Sequence, residues 1–303
     1  MNIFLMGGSG FIGKTLVQTL TGRGHTITLL SRAVKKDVSL PSGAVFFQGD
    51  PTSHGLWQDE LRKHDVVINL VGASIFRRWT KKAKKTILES RIQTTRNIAS
   101  ALEPGKESRV TLLLNASAVG YYGFHGDEIL DESSPHGDDF LASIVSAWES
   151  EARRCAQSGL RVVLCRFGLV MGRTGGALQQ MRLPFKFFVG GPLGNGKQWM
   201  SWVHEQDLAD MIVFLLGRDT VHGPVNCTSP HPVRNKKLSK IIGRTLRRPV
   251  IIPSVPGFML RLFLGEFSTV LVKGQHVIPK VLLEHGFQSQ FPNIEEALED
   301  LLS

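Results

Sequence analysis

The sequence contains few cysteines, few tyrosines and no long hydrophobic segment. Its three cysteines, Cys155, Cys165 and Cys227, are odd in number and lack a C-x-x-C spacing, so neither a disulfide framework nor a thiolate zinc site is predicted. No other spacing is typical of a metal site. No run approaches ~18 uncharged apolar residues, which excludes a spanning helix. The first residues lack a basic region and a small-residue cleavage site, so we expect no secretory signal and a cytoplasmic location.

The charge is strongly positive, since 36 Lys and Arg outnumber 26 Asp and Glu for a net charge of +10. This balance favours anionic partners. Six positive side chains fall within residues 77–85, around Trp79. Such a cluster is compatible with a nucleic-acid surface. Because no nucleic-acid-binding motif occurs elsewhere, we interpret it as a solvated helix start that attracts phosphates. We expect a small, anionic substrate, and neither nucleic acid nor a membrane as partner.

Short apolar runs alternate with helical patterns over the first 167 residues. Near-continuous apolar strands separated by helices are typical of a parallel sheet covered on both faces, which predicts a doubly wound α/β fold of the Rossmann type. After residue 167, glycine-rich loops and shorter elements predict a smaller mixed α/β region. We therefore expect a dinucleotide-binding domain over residues 1–167 and a substrate-covering region with a helical tail over residues 168–303. Strands are predicted at 2–6, 26–30, 44–48, 66–71, 110–116 and 161–167, and helices at 11–22, 80–102 and 140–157.

A glycine-rich turn follows the first predicted strand and opens the first predicted helix. Its glycines suit a tight turn, close approach of a diphosphate and close packing of helix on strand. The helix N-terminus supplies free N–H groups to an anion. A glycine turn without a ligand is the alternative. The predicted cofactor-binding residues of this segment are Gly7, Ser9, Gly10, Phe11, Ile12 and Gly13.

The end of the second strand predicts which cofactor is preferred. An acidic residue there would hydrogen-bond the ribose hydroxyls of NAD. This chain has Ser31 and Arg32, followed by Lys35 and Lys36, and a hydroxyl with a guanidinium suits a phosphate. We therefore predict NADP(H). The alternative for Arg32 is stacking on the adenine or exposure to solvent. At the end of the fourth strand, Leu70 and Val71 are predicted beside the cofactor, with plain strand packing as their alternative.

Several motifs together resemble the extended short-chain dehydrogenase/reductase superfamily, and more closely its atypical, epimerase-like branch. The cofactor loop is G-x-x-G-x-x-G at residues 7–13, and N-A-S-A-V-G-Y-Y-G at residues 115–123 is similar to the strand that supplies a catalytic serine. W-V-H-x-x-D-L-A at residues 202–209 is similar to a segment of the C-terminal half. Further similar motifs are R-W at 78–79, E-S-R at 89–91, W-E at 148–149, the glycine loop at 190–196, P-V-R-N at 232–235 and G-Q-x-V-I-P-K at 274–280.

The resemblance implies an NADP-dependent oxidoreductase or epimerase that acts on a carbonyl or a sugar nucleotide. It also implies that Arg91 contacts a phosphate or ribose, with a surface ion pair as the alternative. Asp139 would approach the nicotinamide side, because it precedes the helix that carries the catalytic pair in the superfamily. A homodimer would form through the helices predicted at 80–102 and 140–157.

The superfamily's Tyr-x-x-x-Lys pair is absent from this chain. The two tyrosines, Tyr121 and Tyr122, are followed four residues on by His125 and Gly126. Three interpretations remain. Ser117 orients a carbonyl while Tyr121 or Tyr122 donates a proton; His204 or Asp139 transfers the proton; or the protein binds NADP(H) as a regulator or scaffold and catalyses nothing.

Two residues of the C-terminal half are candidates for binding the substrate. His204 precedes a predicted helix, and its alternative is a capping or hydrogen-bonded structural residue. Arg234 could clamp a phosphate or carboxylate through two hydrogen bonds. The substrate is expected between residues 117–122 and the segments around 190–204 and Arg234.

Overall fold

A computed structural model describes residues 1–33, 39–250 and 253–303, so Lys35 and Lys36 lie outside the described residues. The strands are β1 Asn2–Met6, β2 Thr26–Ser31, β3 Ala44–Gln48, β4 Val66–Asn69, β5 Leu112–Ala118, β6 Ile129–Leu130, β7 Arg161–Phe167, β8 Leu169–Met171, β9 Trp199–Met200, β10 Trp202–His204, β11 Gly223–Cys227, β12 Val233–Arg234 and β13 His276–Val277. The α-helices are α1 Phe11–Gly22, α2 Trp57–Leu61, α3 Lys81–Ala101, α4 Phe140–Arg153, α5 Gly176–Lys186, α6 Glu205–Leu216, α7 Asn235–Thr245, α8 Gly257–Leu264, α9 Ser268–Val272, α10 Lys280–Glu284 and α11 Ile294–Leu302.

Seven of the described strands form one parallel sheet in the order β11-β7-β5-β4-β1-β2-β3. Met6 of β1 pairs with Leu30 of β2 on one side and with Asn69 of β4 on the other. The three strands therefore end side by side, and the segments that follow them meet at one edge of the sheet. The predicted doubly wound parallel fold is confirmed.

Both faces of the sheet are covered, which explains why its strands are apolar throughout. Successive side chains of a strand point to opposite faces. Ile3 and Leu5 of β1 pack in a core with α1 and α6, whereas Phe4 and Met6 pack in a second core with α2, α3 and the end of α4. The sheet is thus a rigid platform from which the loops at its carboxyl edge project.

The C-terminal region has a smaller core of its own, formed by α5, α7 and α11 around Trp202. The main sheet nevertheless extends past residue 167, because β11 pairs with β7 and α6 packs on α1. The division of the chain at residue 167 stays a prediction. Both β11 and α6 follow residue 167 but pack with elements that precede it. The long helix predicted to residue 157 ends as α4 at Arg153 and continues as a short 3-10 turn.

Candidate functional site

A cleft of about 760 Å³ runs along the carboxyl edge of the sheet. Its volume is within the usual range for small-molecule sites. The N-terminal part of its lining comprises the turn before α1, the segment after β4, the end of β5 and the inner face of α4. Its C-terminal part comprises the loop and first turns of α5, the strand β9 and the segment after α9. Both halves of the chain therefore contribute to one site.

The glycine turn is built so that its backbone faces the cleft. Gly10 donates a backbone hydrogen bond to the carbonyl of Gly7 at 3.0 Å, and Gly7 has a φ of +83° that favours glycine. A Cβ on Gly13 would lie 2.5 Å from the Gly7 oxygen, so α1 packs against the turn only without one. The first turn of α1 has no acidic side chain, and Gly10 provides no side-chain cap. Its N–H groups are therefore available to an anion.

Five of the six predicted residues of this turn, Gly7, Gly10, Phe11, Ile12 and Gly13, line the cleft, whereas Ser9 is exposed and outside it. The Phe11 ring is enclosed by Gly172, Gly175 and Gly176 of the β8–α5 connection, where any Cβ would overlap it. This contact brings the C-terminal half of the chain against the start of α1.

Arg91 projects from α3 into the cleft beside the segment that follows β4. Its Nη1 donates to the carbonyls of Ala73 at 3.1 Å and Ile87 at 2.9 Å. Burial lowers the pKa of Arg91 to about 10, so the side chain stays cationic at neutral pH. No carboxylate among the described residues pairs with it. A partly buried cation without an anionic partner is a strong attractor for phosphate or carboxylate.

Ser31 and Arg32 lie at the end of β2, next to the turn, because the preceding Leu30 pairs with Met6. The Ser31 hydroxyl donates to the carbonyl of Ala33 at 2.8 Å, and the Arg32 side chain is exposed. Neither residue lines the cleft itself. Their predicted contact with a 2′-phosphate stays a prediction, as does that of Lys35 and Lys36.

After β4, Leu70 lines the cleft and Val71 does not. Val71 donates its backbone N–H to Asn69 Oδ1 at 3.1 Å and packs against the core that contains Phe4 and Met6. Of the two residues, Leu70 alone has the position predicted for a cofactor contact.

The inner face of α4 is apolar where the superfamily carries its Tyr-x-x-x-Lys pair. Leu141 and Val145 are four residues apart and both line the cleft, as do Ile144 and Trp148. The helix therefore presents neither a phenol nor an ammonium group to the cleft. The charged residue of this segment, Glu149, is completely buried behind that face.

Ser117 lines the cleft at the end of β5, but its hydroxyl is committed to Glu149. Ser117 Oγ donates to Glu149 Oε1 at 2.7 Å. Arg166 binds the same carboxylate through two hydrogen bonds, from Nε at 2.8 Å and Nη2 at 2.9 Å, and Arg153 adds a third at 2.9 Å. Although burial opposes its charge, Arg166 has a raised pKa because of the hydrogen bonds and charge of Glu149. Ser117 consequently offers the cleft lone pairs and no proton.

The tyrosines predicted as proton donors lie behind the cleft lining. Tyr122 is fully buried, donates to Asn226 Oδ1 at 2.7 Å and accepts from Arg166 Nη1 at 2.9 Å. Burial raises the pKa of Tyr122 to about 12. Tyr121 is covered by the Arg166 guanidinium, 3.5 Å from its ring centroid. A hydroxyl already used inside the protein is poorly placed to donate to a substrate, so this geometry argues against the catalytic role predicted for Tyr122.

Asp139 lines the cleft at the N-terminus of α4. Its Oδ1 accepts the backbone N–H groups of Leu141 at 2.8 Å and Ala142 at 3.0 Å. It is the one carboxylate that the described residues contribute to the lining. Asp139 thus caps α4 and places a carboxylate at the cleft wall.

The structure does not bring His204 to the cleft. His204 is buried, its Nδ1 accepts the backbone N–H of Gln206 at 3.1 Å, and its ring stacks on Phe291. Burial lowers the pKa of His204. This side chain caps α6, as the alternative interpretation of His204 predicts, and its contact with a substrate stays a prediction.

Arg234 is also outside the cleft lining, although it is close to it. Its guanidinium stacks on Trp199, 3.9 Å from the ring centroid, and forms an ion pair with Asp127. Trp199 itself lines the cleft. Arg234 therefore supports a wall of the site, and a direct clamp on the substrate would require it to leave Asp127.

Sequence reasoning missed part of the wall and the network behind it. Residues 174–177, 179–180 and 273–275 line the C-terminal half of the cleft without having been predicted, whereas Trp199 lies in the segment 190–204 that was expected beside the substrate. The glycine-rich loops in the sequence did not by themselves indicate that these residues line the site. The buried pair of Glu149 and Arg166 did leave one signal, because Arg166 directly follows the apolar residues 162–165 of β7.

These features define a doubly wound α/β protein of the Rossmann type with a ligand cleft at the carboxyl edge of its sheet. The chain belongs to the NAD dependent epimerase/dehydratase family, whose pattern matches residues 3–227. Residues 255–301 match a second family, described as a domain of unknown function (DUF1731). The predicted family, including its epimerase-like branch, is confirmed.

Curated relatives match over the full length of the chain. It is 40% identical to the epimerase family protein YfhF of Bacillus subtilis, over 100% of this chain and 98% of that protein. It is 37% identical to the chloroplastic epimerase family protein SDR39U1 homolog of Arabidopsis thaliana, over 100% of this chain and 87% of that protein.

Among solved structures, the human epimerase family protein SDR39U1 (isoform 2), determined with NADPH, superposes with a TM-score of 0.86 at 33% identity. The match covers 100% of this chain and 99% of the human one. Among the described residues, no helix is both long and apolar enough to cross a membrane.

Proposed function

We propose that this protein binds NADP(H) in the cleft and acts as an epimerase-like oxidoreductase on a small anionic substrate. The observation that carries the proposal is the glycine turn at the uncapped start of α1, which faces the same cleft as the unpaired cation of Arg91. Backbone N–H groups, a helix N-terminus and a guanidinium together suit a diphosphate. The NADPH in the human relative, at 33% identity, supports the same cofactor here.

The preference for NADP(H) over NAD(H) rests on the end of β2. The two residues at the end of β2 are not acidic, and Ser31 and Arg32 offer a hydroxyl and an exposed guanidinium beside the turn. The bound nicotinamide would supply or accept a hydride. The chain's own residues would hold the diphosphate, orient the substrate and move a proton.

The polar groups of Ser117 and Asp139 in the cleft favour a substrate whose reacting group is a hydroxyl. Ser117 presents only lone pairs, because its proton is donated to Glu149. Asp139 presents a carboxylate, of which Oδ1 accepts two backbone N–H groups at the start of α4. Both groups accept hydrogen bonds, and an alcohol can donate to them. In this arrangement Ser117 orients the hydroxyl and Asp139 takes its proton.

The alternative function is binding without turnover, as a regulator or scaffold. The apolar inner face of α4 and the buried hydroxyl of Tyr122 favour it, since both remove the usual proton donor of the superfamily. The two functions share the same cofactor site and differ only in whether the bound nucleotide reacts.

Cofactor binding is tested by fluorescence titration of the purified protein with NADPH and NADH. We expect NADPH to bind more tightly, and Arg32→Ala to weaken NADPH binding by about 10-fold or more while leaving NADH binding nearly unchanged. Arg91→Gln should weaken both by a similar factor. Arg96→Gln is the matched control on the same helix, because Arg96 pairs with Glu151 at the surface. Tighter binding of NADH, or no binding of either nucleotide, would overturn the proposal.

Turnover is tested with NADPH and carbonyl compounds, and with NADP⁺ and alcohols or sugar nucleotides. Asp139→Asn keeps a side chain that caps α4 well but removes the base, so the expected loss of rate is about 100-fold or more with little loss of stability. Ser117→Ala should also reduce the rate, and Tyr121→Phe should not. Tight NADPH binding without turnover on any substrate would favour the alternative function.

A further inference from the structure

The helix α8 is unusual because it buries none of its residues. Phe258 is 75% exposed, and Leu262 and Phe263 are each 69% exposed. A helix on a globular protein normally buries an apolar stripe. Large apolar side chains that stay in water over two helical turns indicate a surface made for contact with something else.

A second exposed apolar segment is linked to α8 through the backbone. Phe187, Phe188 and Val189 follow α5 and are 70%, 45% and 51% exposed. A few residues on, the carbonyl of Pro192 accepts the backbone N–H of Val255 at 2.8 Å, directly before α8 begins. We call α8 and residues 187–189 together the apolar surface.

Positive side chains flank the apolar surface at the end of α8. Lys84 of α3 forms an ion pair with Glu266. The rings of Phe76 and Trp79 pack edge-on against Phe267, with 5.9 and 5.7 Å between the ring centroids. These contacts hold the basic cluster of residues 77–85 beside the helix. Arg78 reaches Gly265, the residue that ends α8.

A second basic group flanks the other segment. The Arg248 guanidinium lies 4.5 Å from the ring centroid of Phe188. Arg248 lines a shallow depression together with further cations from the end of α7, namely Lys240, Arg244 and Arg247. Both apolar segments are thus in contact with clustered positive charge.

Most cations of these two groups have no carboxylate partner among the described residues. In the part of the chain that the structure describes, Arg23, Lys63 and Arg109 each pair with a carboxylate. Of the basic cluster at 77–85, only Lys84 and Lys85 do so, and the four cations around Phe188 have no such partner among the described residues. Positive charge without a carboxylate partner therefore lies beside the exposed apolar side chains.

We infer that the apolar surface and its two basic flanks form a docking site for an anionic lipid bilayer. Apolar side chains enter the boundary between headgroups and acyl chains, while lysine and arginine bind the negative headgroups. A nucleic acid would satisfy the cations but leave Phe258, Leu262 and Phe263 in water. The site lies on the surface and spans nothing. The proposal departs from the expectation from sequence that no membrane takes part.

The inference is tested by flotation of the full chain with lipid vesicles. We expect binding to phosphatidylcholine vesicles that contain about one third phosphatidylglycerol, weak binding to phosphatidylcholine alone, and release by salt. The triple variant Phe258→Ser, Leu262→Ser, Phe263→Ser should reduce binding by about 10-fold or more, and Lys81→Gln with Lys82→Gln by a similar factor.

Two variants serve as matched controls. Leu56→Ser removes an equally exposed apolar side chain and Lys106→Gln removes a surface charge, both far from α8 in sequence and outside the contacts of the apolar surface. Both should bind vesicles as the unchanged protein does. Thermal unfolding of each variant shows whether it is folded, independently of nucleotide binding. The inference is overturned by equal binding of the triple variant, by absence of binding at low salt, or by a dimer that the triple variant dissociates without any vesicle binding.

Discussion

The two ends of the cleft use polar groups in opposite ways. At the α1 end, backbone N–H groups and the Arg91 guanidinium face the opening with no anion of their own to bind. At the α4 end, Glu149, Arg166 and Tyr122 are bound to one another behind an apolar wall. The groups at the α1 end can therefore bind a ligand, whereas those at the α4 end stabilise the fold through their contacts with one another.

From this difference we expect nucleotide binding and turnover to depend on different residues. A diphosphate meets groups that lack an anionic partner among the described residues, so no ion pair has to be broken before it binds. A reacting substrate meets Ser117 and Asp139, both already hydrogen-bonded to the protein. Variants at the two ends should accordingly affect different quantities.

The largest expected effect is on stability, from Glu149→Ala. The change leaves Arg166 buried without its carboxylate, and removing one partner of a buried pair costs about 3–5 kcal/mol. Urea unfolding measures the loss. Glu151→Ala on the same helix is the control, because Glu151 binds Arg96 and Arg154 near the surface and should cost within about 1 kcal/mol. Equal losses for the two variants would contradict a special role of the buried pair.

A smaller loss is expected from Tyr122→Phe. Asn226 and Arg166 each lose a hydrogen-bond partner in a buried site, which costs about 1–3 kcal/mol. Because the hydroxyl is outside the cleft, NADPH affinity and any turnover should be unchanged. Thermal unfolding and nucleotide titration are measured together. A variant of normal stability that has lost turnover would restore Tyr122 as a catalytic residue.

The smallest expected effect is a change in the pH dependence of stability, from Glu132→Gln. Glu132 Oε1 accepts backbone N–H groups of Asn226 and Val281, but Oε2 is buried and has no partner among the described residues. Burial raises the pKa of Glu132 above its usual 4.5. The folded state therefore holds the proton more tightly, and this contribution to stability is lost as the pH rises through the raised value.

Glutamine keeps the accepting oxygen and carries no charge. We expect Glu132→Gln to be more stable than the unchanged protein near neutral pH, and to lack its decline in stability just above pH 4.5. Urea midpoints across pH measure this difference. Glu128→Gln, at the surface beside His125, should leave the profile as it was. If the stability of Glu132→Gln changed with pH in the same way as that of the unchanged protein, this carboxylate would not contribute to the pH dependence of stability.

The α1 end of the cleft could be predicted from sequence because local rules dictate it. A glycine turn between an apolar strand and a helix has one common structure, and α1 begins at the predicted Phe11. The absence of the Tyr-Lys pair was also readable, because α4 is a long amphipathic helix with a fixed periodicity. Arg91 follows from its position on α3 once the resemblance is recognised.

The α4 end could not be predicted, because its contacts join residues far apart in the chain. Ser117 meets Glu149 across 32 positions, and Tyr122 meets Asn226 across 104. Nothing in the sequence near Tyr122 tells whether its hydroxyl faces the cleft or β11. The surroundings of His204 could not be predicted for the same reason, since the Phe291 ring that stacks on it comes from the C-terminal segment.

The three glycines that enclose Phe11 have a consequence for how this architecture is inherited. The aromatic ring belongs to the first helix and the glycines to the loop before α5, so neither fits a counterpart that has changed alone. In a hybrid that joined the front half of this chain to the back half of a distant relative, a side chain at any of these glycine positions would overlap the Phe11 ring. The ring and the three glycines must therefore be exchanged together.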